Sequence, residues 1–137
     1  MDDINIDELV NPFVKKLKSY SSARDEFSSN DDAYIFLDAN ENPFTSDFNR
    51  HPDPHHHDLR QKIAEHKGID KGQLLLGNGS DEVIDLLIRT FCRSGQDEII
   101  SITPTYGMYE VVADINQVKL TKVALTDDFQ PDTDQIL

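Results

Sequence analysis

The stretch "LLLGNGSDEVIDLLIRTF", Leu74 to Phe91, constrains the fold more than any other part of the chain. Three leucines read as a short buried strand. A Gly-Asn-Gly-Ser turn follows, and Val83, Ile84, Leu87, Ile88 and Phe91 then recur with the period of a helix. The helix should run from Ser80 to about Arg93, with Gly95 as the stop. The alternation continues with "DEIISITP", a buried strand closed by Pro104, and "TYGMYEVVADIN", a helix with Met108, Val111, Val112 and Ile115 directed inward. "VKLTKVAL" is a further strand, and "DFQPDTDQIL" opens another element. Strands that alternate with helices in this way imply an α/β fold built from parallel βαβ units. The pattern stops where such a unit would continue, so the sheet is expected to be incomplete.

Upstream the signals are weaker. Leu9, Phe13, Val14 and Leu17 lie at roughly helical spacing, with Asn11 placed to cap a new turn and Pro12 at its first position. "SSARDEFSSNDD" reads as a loop and Tyr34–Leu37 as a short strand. A turn-rich stretch leads to "DLRQKIAEHKG", a helix with Leu59, Ile63 and His66 on one face and Gly68 just past its end.

Charge narrows the function classes. The 137 residues carry a formal charge of -13. Binding to nucleic acid without regard to sequence requires clustered lysine and arginine, and anionic membranes attract the same groups. Neither partner is expected. No apolar run approaches the ~20 residues of a membrane span, and the acidic start lacks the basic region of a secretory signal. Cys92 is the only cysteine, which leaves neither a disulfide framework nor a cysteine metal cluster. A cytoplasmic protein is the default expectation.

Three places invite chemistry. The Gly77–Ser80 turn joins a strand to a helix, where backbone N–H groups and the helix dipole attract anions, phosphate above all. Ser80 can cap that helix, with the N–H groups of Asp81 and Glu82 pointing the same way. An ordinary capped helix explains the pattern as well, since Asp81 and Glu82 already complement the dipole. Tyr106 follows Pro104 at the edge of the sheet where open α/β folds bind ligands. Its ring suits a flat phosphorylated cofactor, or simply lies at the edge of the core. The cluster "RHPDPHHHD" brings together His51, His55, His56 and His57, but its prolines fix an extended backbone and helical spacing is missing. A solvated loop is the better reading, and no metal site is expected.

"FLDANENPF", "HPDP", "LLLGNGSDEVIDLLIRTFCRSGQDEII" and "PTYGMYEVVA" follow one another in order, and "KSYSSARDEF" precedes them. Together they resemble the amino-terminal portion of the histidinol-phosphate aminotransferases, fold-type I enzymes that use pyridoxal 5′-phosphate in L-histidine biosynthesis. The resemblance implies an amino-terminal arm and substrate-side segment over residues 1–50, and the first part of a cofactor-binding large domain over 51–137. It implies that Ser80, Asp81 and Glu82 hold the cofactor phosphate and that Tyr106 stacks on the pyridine ring. Tyr20, Asn40 and Asn42 would line the substrate pocket. The family commonly carries a tyrosine that reaches across a homodimer to the neighbour's cofactor phosphate; here that position is His51, which puts the contact in doubt.

The resemblance also shows what transamination requires beyond these residues. A lysine must hold the cofactor aldehyde and move the α-proton, and an acid must face the pyridine nitrogen. The lysines present lie in segments unlike the family's catalytic motif. The expected product is therefore an amino-terminal fragment, inactive alone, of an enzyme exchanging amino groups between histidinol phosphate and 2-oxoglutarate. The alternatives are a non-catalytic phosphate-binding or pairing module, a nonfunctional truncated product, and another aminotransferase-like enzyme of the same superfamily.

Overall fold

The computed structural model describes residues 4–21, 35, 37 and 39–137. In chain order its elements are α1 (Ile6–Leu9), α2 (Pro12–Lys15), α3 (His57–Lys67), a 3-10 turn (Lys71–Gln73), α4 (Ser80–Phe91), β1 (Glu98–Thr103), α5 (Met108–Ile115), β2 (Lys119–Ala124) and α6 (Thr133–Ile136). They belong to two compact units, one formed by residues 1–17 and 75–137, the other by residues 18–74.

The first unit is the α/β part. β1 and β2 pair in parallel, from Glu98 opposite Lys119 to Thr103 opposite Ala124. The β-branched residues Ile99, Ile100, Thr121 and Val123 suit this pleated pairing. The crossover between them is α5, as a parallel pair requires. The buried cluster is small: Ile88 of α4, Val112 of α5 and Val118, with Ile84, Cys92, Ile99 and Met108 packed around it. Asn116 donates to Asp85 at 2.7 Å and so ties the end of α5 to the middle of α4.

Several expectations change here. Leu74–Leu76 is extended but not a strand. A strand needs a hydrogen-bonded neighbour, and among the described residues the only paired strands are β1 and β2. In α5 the buried residues are Val112 and Ala113, while Val111 and Ile115 are exposed, Ile115 by 65%. α5 is apolar over most of its circumference, so periodicity cannot say which side faces α4 and β1. In α4, Ile88 is buried but Leu87 is half exposed. The helix ends at Phe91 rather than about Arg93, because Cys92 turns to extended backbone.

The amino-terminal turn behaves as its chemistry predicts. Asn11 caps α2, its side chain accepting the Phe13 N–H at 3.0 Å, and Pro12 occupies the first turn. Asn11 also donates from its backbone to Thr90 O at 2.8 Å and from Nδ2 to Cys92 O at 3.0 Å. Carbonyls at the end of a helix lack intrahelical partners, so this one residue closes α4 as well as opening α2. Asn11→Ala should lower the unfolding free energy by roughly 1–2 kcal/mol, measured by urea titration. A neutral result would show that the arm does not rest on α4.

In the second unit, α3 ends at Gly68, whose φ of 67° is the left-handed conformation expected at a helix terminus. Ala64 is its buried residue; Leu59 and His66 are exposed, against the expectation that they face inward. The strand expected at 34–37 and the loop at 21–32 fall largely outside the described residues.

Candidate functional site

The turn before α4 is held by its own residues. Gly79, not Ser80, is the N-cap, and no side chain caps the helix. Ser80 is the first helical residue. Gly79 adopts φ 89° and ψ 174°, a region reserved in practice for glycine. Its N–H bonds to Gly77 O at 2.9 Å, which closes the turn. Glu82 reaches back with Oε2 to accept from the Asn78 backbone N–H and, at 3.2 Å, from Asn78 Nδ2. Asn78 went unnoticed in the sequence, although an amide four residues before a glutamate in a glycine turn is the signal for such a clasp.

Asp81 does not fold back over its own helix end. Its Oδ2 instead accepts from the Tyr106 hydroxyl at 3.4 Å. Its Oδ1 is buried with no hydrogen-bond partner. Tyr106 stands 55% exposed, and its ring makes a T-shaped contact with that of Tyr109, 6.3 Å between centroids. The negative charge of Asp81 raises the Tyr106 pKa, with burial and the hydrogen bond acting in the same direction. Ser80, Asp81, Glu82 and Tyr106 are thus gathered at one end of the first unit. Of these four, Tyr106 also lines a cleft of about 200 Å³ at the end of β1, together with Thr103, Pro104, Tyr109 and Glu110.

Tyr20, Asn40, Asn42 and His51 belong to the other unit. Tyr20 is exposed. Asn40 takes a left-handed φ of 50°, which asparagine tolerates better than most residues. Asn42 accepts the Phe44 N–H at 3.0 Å, an Asx turn. Between them Glu41, only 6% exposed at its side chain, pairs with Arg50 at 2.7 Å and accepts the His51 N–H at 2.8 Å. The His51 ring lies 3.2 Å from Ala39 O through Nε2. A carbonyl can only accept, so Nε2 carries the proton. The pairing of Glu41, a member of the Ala39–Asn42 segment that the resemblance puts at the substrate, is not legible in the sequence, because its partners lie nine and ten residues away.

The histidine cluster has a local use. Asp53 accepts the backbone N–H of His55 at 2.8 Å and of His57 at 2.7 Å, and its carboxylate also meets His57 Nδ1 at 2.8 Å. The backbone bond from His57, then that from His55, holds the Asp53 carboxyl well below the usual carboxylate range. Asp53 therefore organises the entry to α3. Among the described residues no group of three or more histidine, cysteine or acidic side chains is placed to hold a metal, and no helix is long and apolar enough to cross a membrane.

Comparison with known proteins agrees with the order of these motifs. The family model for aminotransferase class I and II matches residues 35–137. A histidinol-phosphate aminotransferase of Christiangramia forsetii is 51% identical over 132 residues, which cover 96% of this chain and 38% of that protein. One from Flavobacterium johnsoniae is 51% identical over 138 residues, covering 100% of this chain and 40% of that protein. One from Parabacteroides distasonis is 50% identical, covering 97% and 38%. The chain spans about two fifths of the length of these curated relatives. With the family model covering most of the chain and half of its residues shared with these proteins, the chain belongs to the class I and II aminotransferases.

Proposed function

We propose that this chain forms the amino-terminal part of a pyridoxal 5′-phosphate-dependent transaminase that exchanges an amino group between histidinol phosphate and 2-oxoglutarate. The observation that carries the reading is the uncapped start of α4 with Tyr106 beside it. The first N–H groups of a helix lack intrahelical acceptors, and here no side chain takes them. A Cβ on Gly79 would meet nothing within 4 Å, so the space next to those donors is open. These residues fit a phosphate joined to a flat ring.

In this reading the N–H groups of Ser80, Asp81 and Glu82 hold the phosphate and the Tyr106 ring lies against the pyridine face. When bound, the cofactor supplies an electron sink for charge that develops at the substrate α-carbon. For Tyr20, Asn40 and Asn42 the substrate-side role rests on the family resemblance. No catalytic lysine is assigned to these residues, so the chain alone is expected to be inactive. A fold-type I large domain, a homodimer and a cytoplasmic location are part of the proposal. In that homodimer His51 would stand where a cross-subunit donor is needed. The competing reading is a turn already satisfied within itself, which the Glu82–Asn78 clasp favours.

One experiment separates the two. The chain is joined to the remaining length of the Flavobacterium johnsoniae relative, and transamination of histidinol phosphate and cofactor affinity are measured. Tyr106→Ala should weaken cofactor binding by roughly 0.5–1.5 kcal/mol, about two- to tenfold. Tyr109→Ala should do less, since its ring only buttresses Tyr106. Equal affinities for the two variants would defeat the assignment.

A further inference from the structure

We propose that Asp81 is a positioning residue: its side chain, drawn away from its own helix terminus, holds the Tyr106 ring against the cofactor and leaves the α4 N–H groups open. The inference rests on the cofactor reading given above and assigns a role to a side chain where that reading uses only a backbone.

An aspartate in the first turn of a helix ordinarily sits close to the terminal N–H groups, which its charge complements. Here no side chain caps α4, and Asp81 Oδ2 meets a phenol 25 residues along the chain instead. A carboxylate accepts only, so Tyr106 must donate. The raised Tyr106 pKa works in the same direction, because a phenol that stays protonated stays a donor. The Tyr109 ring meets Tyr106 at an interplanar angle of 86°, which restrains it from a second side. Asp81 at the hydroxyl and Tyr109 in a T-shaped contact restrain a ring that is still 55% exposed. The second carboxylate oxygen, Oδ1, is buried and unpartnered. Such an arrangement costs free energy in the free protein; in this proposal it is offset only on cofactor binding, by the fixed ring and the helix end left open for the phosphate.

The test uses the full-length chimera described above, first without cofactor. Alkaline titration of tyrosine absorbance, taken as the difference from Tyr106→Phe, isolates the Tyr106 phenol. Asp81→Asn keeps the shape and an acceptor oxygen but removes the charge. It should move the phenol midpoint to lower pH, and an unmoved midpoint would overturn the proposal while leaving the cofactor reading untouched. Cofactor affinity is then measured for Asp81→Ala, Tyr106→Phe and the pair. If Asp81 acts through the hydroxyl, the two changes are not independent, and a coupling of about two- to fivefold is expected, as for a long hydrogen bond. Asp81→Asn should retain most of the affinity. Additive effects in the cycle would overturn the positioning role. A phenol that shifts with Asp81→Asn in a protein whose cofactor affinity ignores Tyr106→Ala would instead overturn the cofactor reading.

Discussion

Ile88→Ala is expected to lower the unfolding free energy by roughly 2–5 kcal/mol, the range for deleting a buried branched side chain. Ile88 lies at the centre of the first unit, 6% exposed, with Val112 of α5 and Val118 against it. Ile84, Cys92, Ile99 and Met108 complete the surround, so the space left by the side chain has walls from α4, β1 and α5. Those walls are held by backbone hydrogen bonds of the helices and the parallel pair, and they cannot close fully over the gap. The same packing sets the direction of α4, and with it the position of its open end beside Tyr106. Cofactor affinity should therefore fall with stability, even though Ile88 stands two helical turns from that end. Urea unfolding of the full-length chimera gives the first quantity and cofactor titration the second. A loss below about 1 kcal/mol would contradict the described packing of α4 on α5.

Gly79→Ala carries the second large effect. The residue sits at φ 89° and ψ 174°. A side chain there costs of order 1–3 kcal/mol through the backbone alone. The cost is conformational rather than steric, since a Cβ at this position meets no atom within 4 Å. The backbone would relax toward an ordinary conformation. The Gly79 N–H would then leave Gly77 O, and the first N–H groups of α4 would turn away from their common direction. Cofactor affinity should drop at least tenfold, or about 1.4 kcal/mol. Gly77 offers a contrast. A Cβ there would lie 2.8 Å from Val83 Cγ2 and 2.9 Å from Glu82 Oε2, so the branched Val83 side chain and the flexible Glu82 carboxylate must both give way. Gly77→Ala should displace the Glu82 clasp with a smaller loss of binding. A Gly79→Ala protein that binds cofactor normally would show that the turn takes no part in the site.

The elements that sequence alone determined share one property: the information lies within a few neighbouring residues. The start of α4 after a glycine turn, both paired strands, the Asn11–Pro12 cap and the Gly68 terminus follow from local propensity and turn chemistry. The family was legible for a similar reason, since its motifs run in order along the chain. Burial and partnership are different, because they relate residues far apart. Whether Val111 or Val112 faces inward depends on where α4 and β1 lie, and α5 is apolar enough for either. Leu74–Leu76 has the composition of a buried strand, but a strand is a relation between two chains of backbone, and no neighbour is paired with it among the described residues. Glu41 reads as one acid among many until Arg50 and His51 fold back onto it. The meeting of Asp81 with Tyr106 was decided by tertiary structure alone. Helix α4 and the end of β1 each place one of the two groups, and only the packing around Ile88 brings them within hydrogen-bond reach.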